Sequence, residues 1–364
     1  MDNKKSVDVI YVDLQKAFDK VPHNKLLFKL KQTGIDGKLL IWIENWLCDR
    51  THTVKYRGMV SDIVKVKSGV PQGSVLGPIL FLIYINDIEN KIKCDTFKFA
   101  DDTKLVGCVD DKNNLQNDIN ALSYWCKAWQ MPINVEKCKV MHIGSSNPKH
   151  SYSLSGEKLK ICEEEKDLGV VFTKDLKFNT QCLTAAKKGN KILGMIYRTI
   201  KNRTKKIMLN LYKSLVRPQL DYCINVWRPH LKSDIKILEN VQKRFTKSIQ
   251  GFKKIKYKER LNILKLTSFE TRCLRSDLLT CFKVFNNCES LDTKKLFVFN
   301  ERKSRGNSFK LSKVYCRLDS SKFSFPHRVV DEWNKLKDDT VCSESINAFK
   351  GGLDRHLRAM GGLI

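Results

Sequence analysis

Val7–Leu14 reads VDVIYVDL, a run of β-branched and apolar residues that ends on a carboxylate, Asp13. Such a run has no helical period and is too short for a helix of its own, so it predicts a buried strand. A buried strand must pair its backbone N–H and C=O groups. The sequence supplies partners: Thr96–Ala100 and Thr103–Val109 read as two strands meeting at Asp101–Asp102, and Lys139–Ile143 as a third. Helical patterns lie between them. Pro22 suits a first turn, with Leu26, Leu27 and Leu30 on one side and Gly34 as the stop; Leu39, Leu40, Ile43, Trp46 and Leu47 mark a second helix. Thr51–Tyr56 and Asp62–Lys67 read as arms of a hairpin around Arg57–Gly58, and Ser68–Gly77 as a glycine-bearing loop. Pro78 is expected to open a helix with Leu82, Ile85 and Ile88 inward. Leu115, Ile119, Leu122, Cys126 and Trp129 give another amphipathic helix. Strand, helix, hairpin, helix, strand is the split βαβ arrangement, which predicts an α+β fold with helices on one face of one sheet.

Beyond Gly144 the pattern changes twice. Leu154–Phe178 reads as short strands with polar turns, Ala185 to about Asn287 as basic helices, and the rest as short strands and turns with a last helix near Ser343–Met360. The expected segments are 1–150, 151–184, 185–290 and 291–364. Lys and Arg number 67 against 39 Asp and Glu, a net charge of +28. Residues 185–290 hold 25 Lys and Arg against 7 Asp and Glu, so +18 of that total belongs to them. So one-sided a field excludes an acidic disordered chain, argues against an ordinary metabolic enzyme and makes nucleic acid the default partner. The 13 cysteines are odd in number and form no CxxC pair, which argues against a secreted disulfide framework and a zinc module. A reducing compartment, nucleus or cytoplasm, is expected. No apolar run reaches the length of a membrane span, so no membrane partner is expected.

The chemistry points to the carboxylates. Asp13 at the end of one strand and Asp101 in the turn between two others would be brought together by the sheet. Two carboxylates forced together repel, and a pair of Mg²⁺ ions resolves the conflict while supporting in-line phosphoryl displacement. The backbone carbonyl of Leu14 would add a hard oxygen ligand. An Asp-Asp pair in a turn is usually only a turn former. Here Phe97, Phe99, Ala100, Leu105 and Val106 flank it, and acidic groups between apolar strands carry a desolvation cost.

YVDLQKAFDKVPH (11–23), SGVPQGSVLGPILFLIYINDI (68–88) and FADDTKLV (99–106) closely resemble the polymerase blocks of reverse transcriptases, in particular those of non-LTR (LINE-type) retrotransposons. Later stretches, DLGVVFTKDLKF (167–178) and HRVVDEWNKL (327–336), look like the downstream sequence of that family. The resemblance implies a polymerase palm with a ferredoxin-like core, partial fingers at about 37–67 and a helical basic thumb. It implies RNA-directed DNA polymerisation, with Asp13 and Asp101 as principal metal ligands, supported by Asp102 and the Leu14 carbonyl, and with two Mg²⁺, for which Mn²⁺ could substitute. Phe18 would lie beneath the incoming sugar and exclude a 2′-hydroxyl. Gln72 and Gly73 would pack against the nascent base pair. Lys137 would stand near the triphosphate, Asp19 would be structural, and Gly169–Phe172 would form a primer-gripping hairpin. The substrates implied are dNTPs and an RNA template with a DNA primer.

Three basic clusters stand out in the thumb-like segment: Lys187, Lys188 and Lys191; Lys201, Arg203, Lys205 and Lys206; and Lys253, Lys254, Lys256, Lys258 and Arg260. They are expected to hold a nucleic-acid backbone in a salt-sensitive way, without reading sequence. Trp125 and Trp129 are expected to pack, as are Tyr222, Trp227 and Pro229. About ten residues precede the first block, less than a complete fingers region, so an N-terminally truncated polymerase is expected. Two other readings stay open: a catalytically silent, basic RNA- or DNA-binding remnant, and another palm-type polymerase such as an intron maturase.

Overall fold

The computed structural model describes residues 5–109, 112–286, 288, 291–300 and 308–360. Asn287 and Ser290, expected ends of the basic helical segment, lie outside the described residues. Two compact units divide between Glu163 and Glu164.

The first unit is built on a sheet of β1 (Val7–Val12), β2 (Asp95–Phe99), β3 (Asp102–Cys108), β4 (Lys139–Ile143) and β5 (Lys160–Ile161), in the order β5-β4-β1-β3-β2. β1 runs antiparallel to both β3 and β4, which sets Ile10 opposite Leu105 and Val140. The chain leaves β1 and returns two strands away with β3 threaded between, so the split βαβ expectation holds. Ile10, Val12, Leu105 and Val140 turn one face of the sheet to the helices α1 (His23–Gln32), α2 (Gly37–Leu47), α3 (Leu76–Ile85) and α4 (Lys112–Ala128). Leu26, Leu30, Phe81, Ile119 and Leu122 close the core, each fully buried side chain contributing about 1.5–3 kcal/mol. α3 corrects one expectation. It begins at Leu76, two residues before Pro78, and buries Leu80, Phe81, Tyr84 and Ile85 while Leu82 is exposed. The core also extends past His150, taking in Tyr152, Leu154 and Leu159. The expected hairpin is present as two short ladders, Thr51–His52 with Val64–Lys65 and Lys55–Tyr56 with Met59–Val60.

Two buried charged groups of this unit are held by partners distant in sequence. Asp8 is fully buried between His142 Nδ1 at 2.7 Å, the Tyr152 hydroxyl at 2.7 Å and the Asn147 amide at 2.8 Å. Lys29 lies on the rings of Trp129 and Trp125, 3.8 and 4.7 Å from their centroids, and bonds Asp87. Burial pulls its pKa down against the pull of Asp87. Trp125 and Trp129 therefore pack, and the group they pack on is a cation.

The second unit opens with a hairpin, β6 (Glu164–Asp167) and β7 (Val170–Thr173), turning through Leu168 and Gly169, both at positive φ. The helices α5 (Asn179–Thr199), α6 (Lys205–Leu211), α7 (Lys232–Lys247), α8 (Tyr257–Leu264) and α9 (Phe269–Phe285) follow. α6 widens into a π-turn at Tyr212–Val216 before resuming at Arg217–Asp221. One core runs from Val170 to Cys273; another from Leu278 to Leu357 joins the end of α9 to α10 (Ile346–Ala359), with Phe282 stacked on Phe349 at 4.1 Å. The 290/291 boundary expected from sequence thus falls inside a core. The short strands expected after it are mostly absent among the described residues: helical turns such as Val330–Asn334 and Asp338–Val341 stand there, with one bridge between Phe299 and Leu311. Tyr222 is another correction. It is exposed, and its hydroxyl bonds the Leu168 carbonyl at the hairpin tip, while Trp227 is buried as expected.

Candidate active site

Val12 pairs with Thr103 across the two central strands, and Phe99 pairs with Asp102 in the adjoining hairpin. Asp13 is one residue past Val12, Asp102 is the first residue of β3, and Asp101 lies in the two-residue turn. All three carboxylates therefore sit at one end of the sheet. The alternation that buries Val12 and Thr103 on the helix side sends Asp13 and Asp102 to the other. Ala100 takes a left-handed φ of 52°, which lets the chain reverse in two residues and puts Asp101 at the tip.

The loop after Asp13 is tied to the segment before β4. Asn134 N–H donates to the Asp13 carbonyl at 2.8 Å, Gln15 N–H donates to the Pro132 carbonyl at 2.8 Å, and Leu14 bridges Ile133. Leu14 is buried. The same segment brings Lys137 to the site, its Nζ 3.7 Å from Asp13 Oδ2. Both side chains remain substantially exposed, 69% and 41%. Their attraction is screened, and both stay accessible to a ligand.

Phe18 stacks on Phe81, ring centroids 4.4 Å apart, so α3 fixes the orientation of a half-buried ring. Its carbonyl accepts from Val70 N–H at 2.8 Å, which fastens the 66–75 loop to this segment. Gln72 Nε2 donates to Asp19 Oδ1 at 3.1 Å, and the Ser68 hydroxyl donates to the Asp19 carbonyl at 2.8 Å. Gly73 has φ of +81° and open space where a Cβ would stand. Glycine is required there by the backbone, and the chain itself makes no close approach. The close approach is at Gly69, whose Cβ would meet the Asp19 backbone at 2.7 Å. Gly69 also offers its carbonyl to Arg50 Nη2 at 2.8 Å, with His23 Nε2 at 2.9 Å. The SGVPQG and YVDLQKAFDKVPH strings carry the signal for Gly69 and His23 without assigning either a role, and nothing local carries it for Arg50.

Among the described residues no three His, Cys, Asp or Glu side chains form a ready metal cage. The donor set still suits Mg²⁺, which is held by one or two carboxylates and keeps water and substrate phosphate as its remaining ligands. Asp13, Asp101 and Asp102 offer hard oxygens in a half-open setting, where a Zn²⁺-type site would need nitrogen or sulfur.

The basic clusters divide by residue type. Lys187, Lys188, Lys191, Lys201, Lys206, Lys253, Lys254, Lys256 and Lys258 are exposed. Arg203 is half-buried and bonds the Tyr197 carbonyl at 3.0 Å, and Lys205 bonds the Ile263 carbonyl at 2.8 Å. Arg260 departs from the expectation. It is buried, donates to the Lys243 carbonyl at 3.0 Å and stacks on Tyr257, so it serves the interior, not a surface patch.

The family model for "Reverse transcriptase (RNA-dependent DNA polymerase)" matches residues 1–197, more than half of the chain. The chain belongs to the reverse transcriptase family. Among curated proteins it is similar to the RNA-directed DNA polymerase from mobile element jockey of Drosophila melanogaster, 28% identical over 269 residues, covering 69% of this chain and 29% of that protein. It is also similar to the probable RNA-directed DNA polymerase from transposon X-element of the same fly, 26% identical over 266 residues, covering 69% and 29%. A third relative is the Pol polyprotein from the type-1 retrotransposable element R2 of Popillia japonica, 26% identical over 175 residues, covering 43% and 28%. This reverse transcriptase chain thus spans about 29% of the length of the first of these relatives. Of solved structures, a telomerase from Candida tropicalis with a fragment of telomeric RNA covers 68% of this chain and 39% of its own, at 15% identity and a TM-score of 0.41. Reverse transcriptases use divalent metal ions. Among the described residues no helix is long and apolar enough to cross a membrane.

Proposed function

We propose that this chain is the polymerase portion of a non-LTR retrotransposon reverse transcriptase, extending a DNA primer on an RNA template with dNTPs. The observation that supports it most is the register Val12–Thr103 and Phe99–Asp102, by which two central strands carry Asp13, Asp101 and Asp102 to one end of the sheet. Asp13 and Asp101 would hold two Mg²⁺ ions, with Asp102 and the Leu14 carbonyl in support. When bound, the ions supply charge neutralisation for the attacking and leaving oxygens of an in-line displacement.

The residues around them take the remaining roles. Lys137, beside Asp13, offers an ammonium to the triphosphate and a proton to the departing pyrophosphate. Phe18, held against Phe81, blocks the space a 2′-hydroxyl needs. Gln72 and Gly73 line the nascent base pair, and the open space at Gly73 leaves room for backbone to approach a base. The 51–65 hairpin stands for part of the fingers, and the tip at Leu168–Gly169 for the primer grip. The exposed lysines of the second unit hold phosphates. The test is primer extension on an RNA template with Mg²⁺, then Mn²⁺. Template-dependent dNTP incorporation supports the reading. Salt-sensitive binding of template–primer without incorporation would replace it with a silent binding remnant, the second reading that the +18 of residues 185–290 favours.

A further inference from the structure

The second unit contains a cavity of about 360 Å³ walled by the π-turn, the end of α8 and the first half of α9. Five of its lining residues are cationic, Lys213, Arg217, Lys265, Arg272 and Arg275, against two carboxylates, Asp221 and Asp354, which leaves a net charge of +3. The carboxylates are already engaged. Arg217 and Arg272 both bond Asp221, with N–O distances of 3.0 Å, and Arg275 bonds Asp354 at 2.7 and 3.2 Å. Lys213 and Lys265 also line the cavity, and both are exposed. Arg272 is only 7% exposed, and its Nε and Nη1 are satisfied by Asp221, Gln242 and Thr267, yet its Nη2 is buried with no partner. Arg272 lines the cavity, and its guanidinium adds positive potential that favours an anion there. The π-turn widens the helix where Lys213 leaves it, a distortion often found at functional sites.

The rest of the lining decides the class of anion. Ile224, Leu266 and Leu279 give an apolar wall, and Thr267 and Ser276 add polar groups. The volume lies in the lower range of small-molecule sites and is far more than a bare phosphate fills. A phosphodiester held from the surface by lysines needs no cavity. We propose that this cavity binds a nucleoside phosphate, its phosphate between Lys213 and Lys265 beside Arg272 and its base or sugar on the apolar wall. The ligand is either a free mononucleotide or the phosphorylated end of a single strand, which share this chemistry. Every lining residue belongs to the second unit, and the inference does not depend on the polymerase reading.

The experiment is calorimetric titration of the full chain at physiological ionic strength with metal chelated, so that metal-dependent binding elsewhere is silenced. The probes are AMP, ATP, adenosine, and a short oligonucleotide with 5′-phosphate or 5′-hydroxyl. Saturable binding of AMP or ATP, with adenosine about tenfold weaker or more, is expected. Lys213→Gln with Lys265→Gln should lower it about tenfold or more at an unchanged melting temperature, and Asp101→Asn should leave it intact. A mononucleotide that binds best identifies the free ligand; a 5′-phosphorylated strand that outbinds both its 5′-hydroxyl form and AMP identifies a strand end. Absence of saturable binding by every phosphate-bearing probe, adenosine binding as well as AMP, or equal affinities in the lysine variant would each overturn the proposal.

Discussion

The two units treat charge in opposite ways. In the sheet unit the interior is apolar apart from local pairings such as Asp8 with His142 and Lys29 with Asp87, and the carboxylates of interest stand half-open at a strand end. In the helical unit four arginines, Arg228, Arg260, Arg272 and Arg328, are structural. Asp277, fully buried, binds Arg228 at 2.7 Å and Arg328 at 2.8 Å; Arg272 ties α9 to Asp221 and to Gln242 of α7; Arg260 ties α8 to α7. The lysines of the same unit stay outside. A planar guanidinium satisfies several carbonyls and carboxylates at fixed geometry, whereas a strongly hydrated ammonium gains little from burial. The net charge of the helical segment therefore overstates what it offers nucleic acid, because part of it is spent on holding helices together.

That contrast can be broken at several points. Asp277→Ala strands two guanidiniums and is expected to destabilise the second unit by about 3–5 kcal/mol in denaturant unfolding, whereas Asp13→Asn should change stability by less than about 0.5 kcal/mol. Equal effects would erase the distinction. Gly69→Ala forces a Cβ to 2.7 Å from the Asp19 backbone at positive φ, at a cost of about 1–3 kcal/mol, and should uncouple Gln72 from Asp19. Gly73→Ala meets only the backbone strain, about 1 kcal/mol, and should lower extension more than stability. In the basic region Arg260→Ala is expected to lose about 1–3 kcal/mol of stability with the salt dependence of template–primer binding unchanged. The quadruple lysine variant at 253, 254, 256 and 258 should do the reverse, lowering the salt slope by up to about 3 to 4 units.

The smallest effect is one of pH. Burial pushes the Asp175 carboxyl up, but hydrogen bonds from the Thr173 hydroxyl and Lys177 N–H and the charge of Lys177 outweigh it and hold the pKa below the usual range. A carboxyl lowered on folding stabilises the turn above its unfolded pKa and loses that contribution as pH falls through the lower folded value. Hydrogen exchange at Lys177 N–H, corrected for its intrinsic pH dependence, should show protection lost in that acidic window. Protection unchanged there would show that the Asp175 carboxylate does not hold the turn.

What the sequence made legible was the sheet. Short β-branched runs and amphipathic helices alternate with little ambiguity, and the turn at Asp101 follows from the strands beside it. It failed where periodicity carries no choice. LGPILFLIYI is apolar on every side, so only the neighbours of α3 decide that Phe81 is inside and Leu82 outside. Arg260 closes a run of five basic residues among eight, and its burial depends on the Lys243 carbonyl and the Tyr257 ring, contacts that charge counting does not weigh. The helical turns after Asp292 are four or five residues long, shorter than any window in which a helical period shows. The Asp13–Lys137 approach depends on Asn134 bonding the Asp13 carbonyl, a tertiary link that neither local sequence announces.

On this reading chemistry belongs to the carboxylates at the sheet end and grip to the exposed lysines. Single-turnover primer extension on an RNA template, run with template–primer binding on the same samples, tests it in the wild-type chain, Asp101→Asn and the quadruple lysine variant. Asp101→Asn is expected to abolish incorporation at unchanged affinity, and the lysine variant to bind more weakly but extend what it holds at the wild-type rate. Extension surviving in Asp101→Asn, or lost in the lysine variant at saturating template–primer, would contradict it.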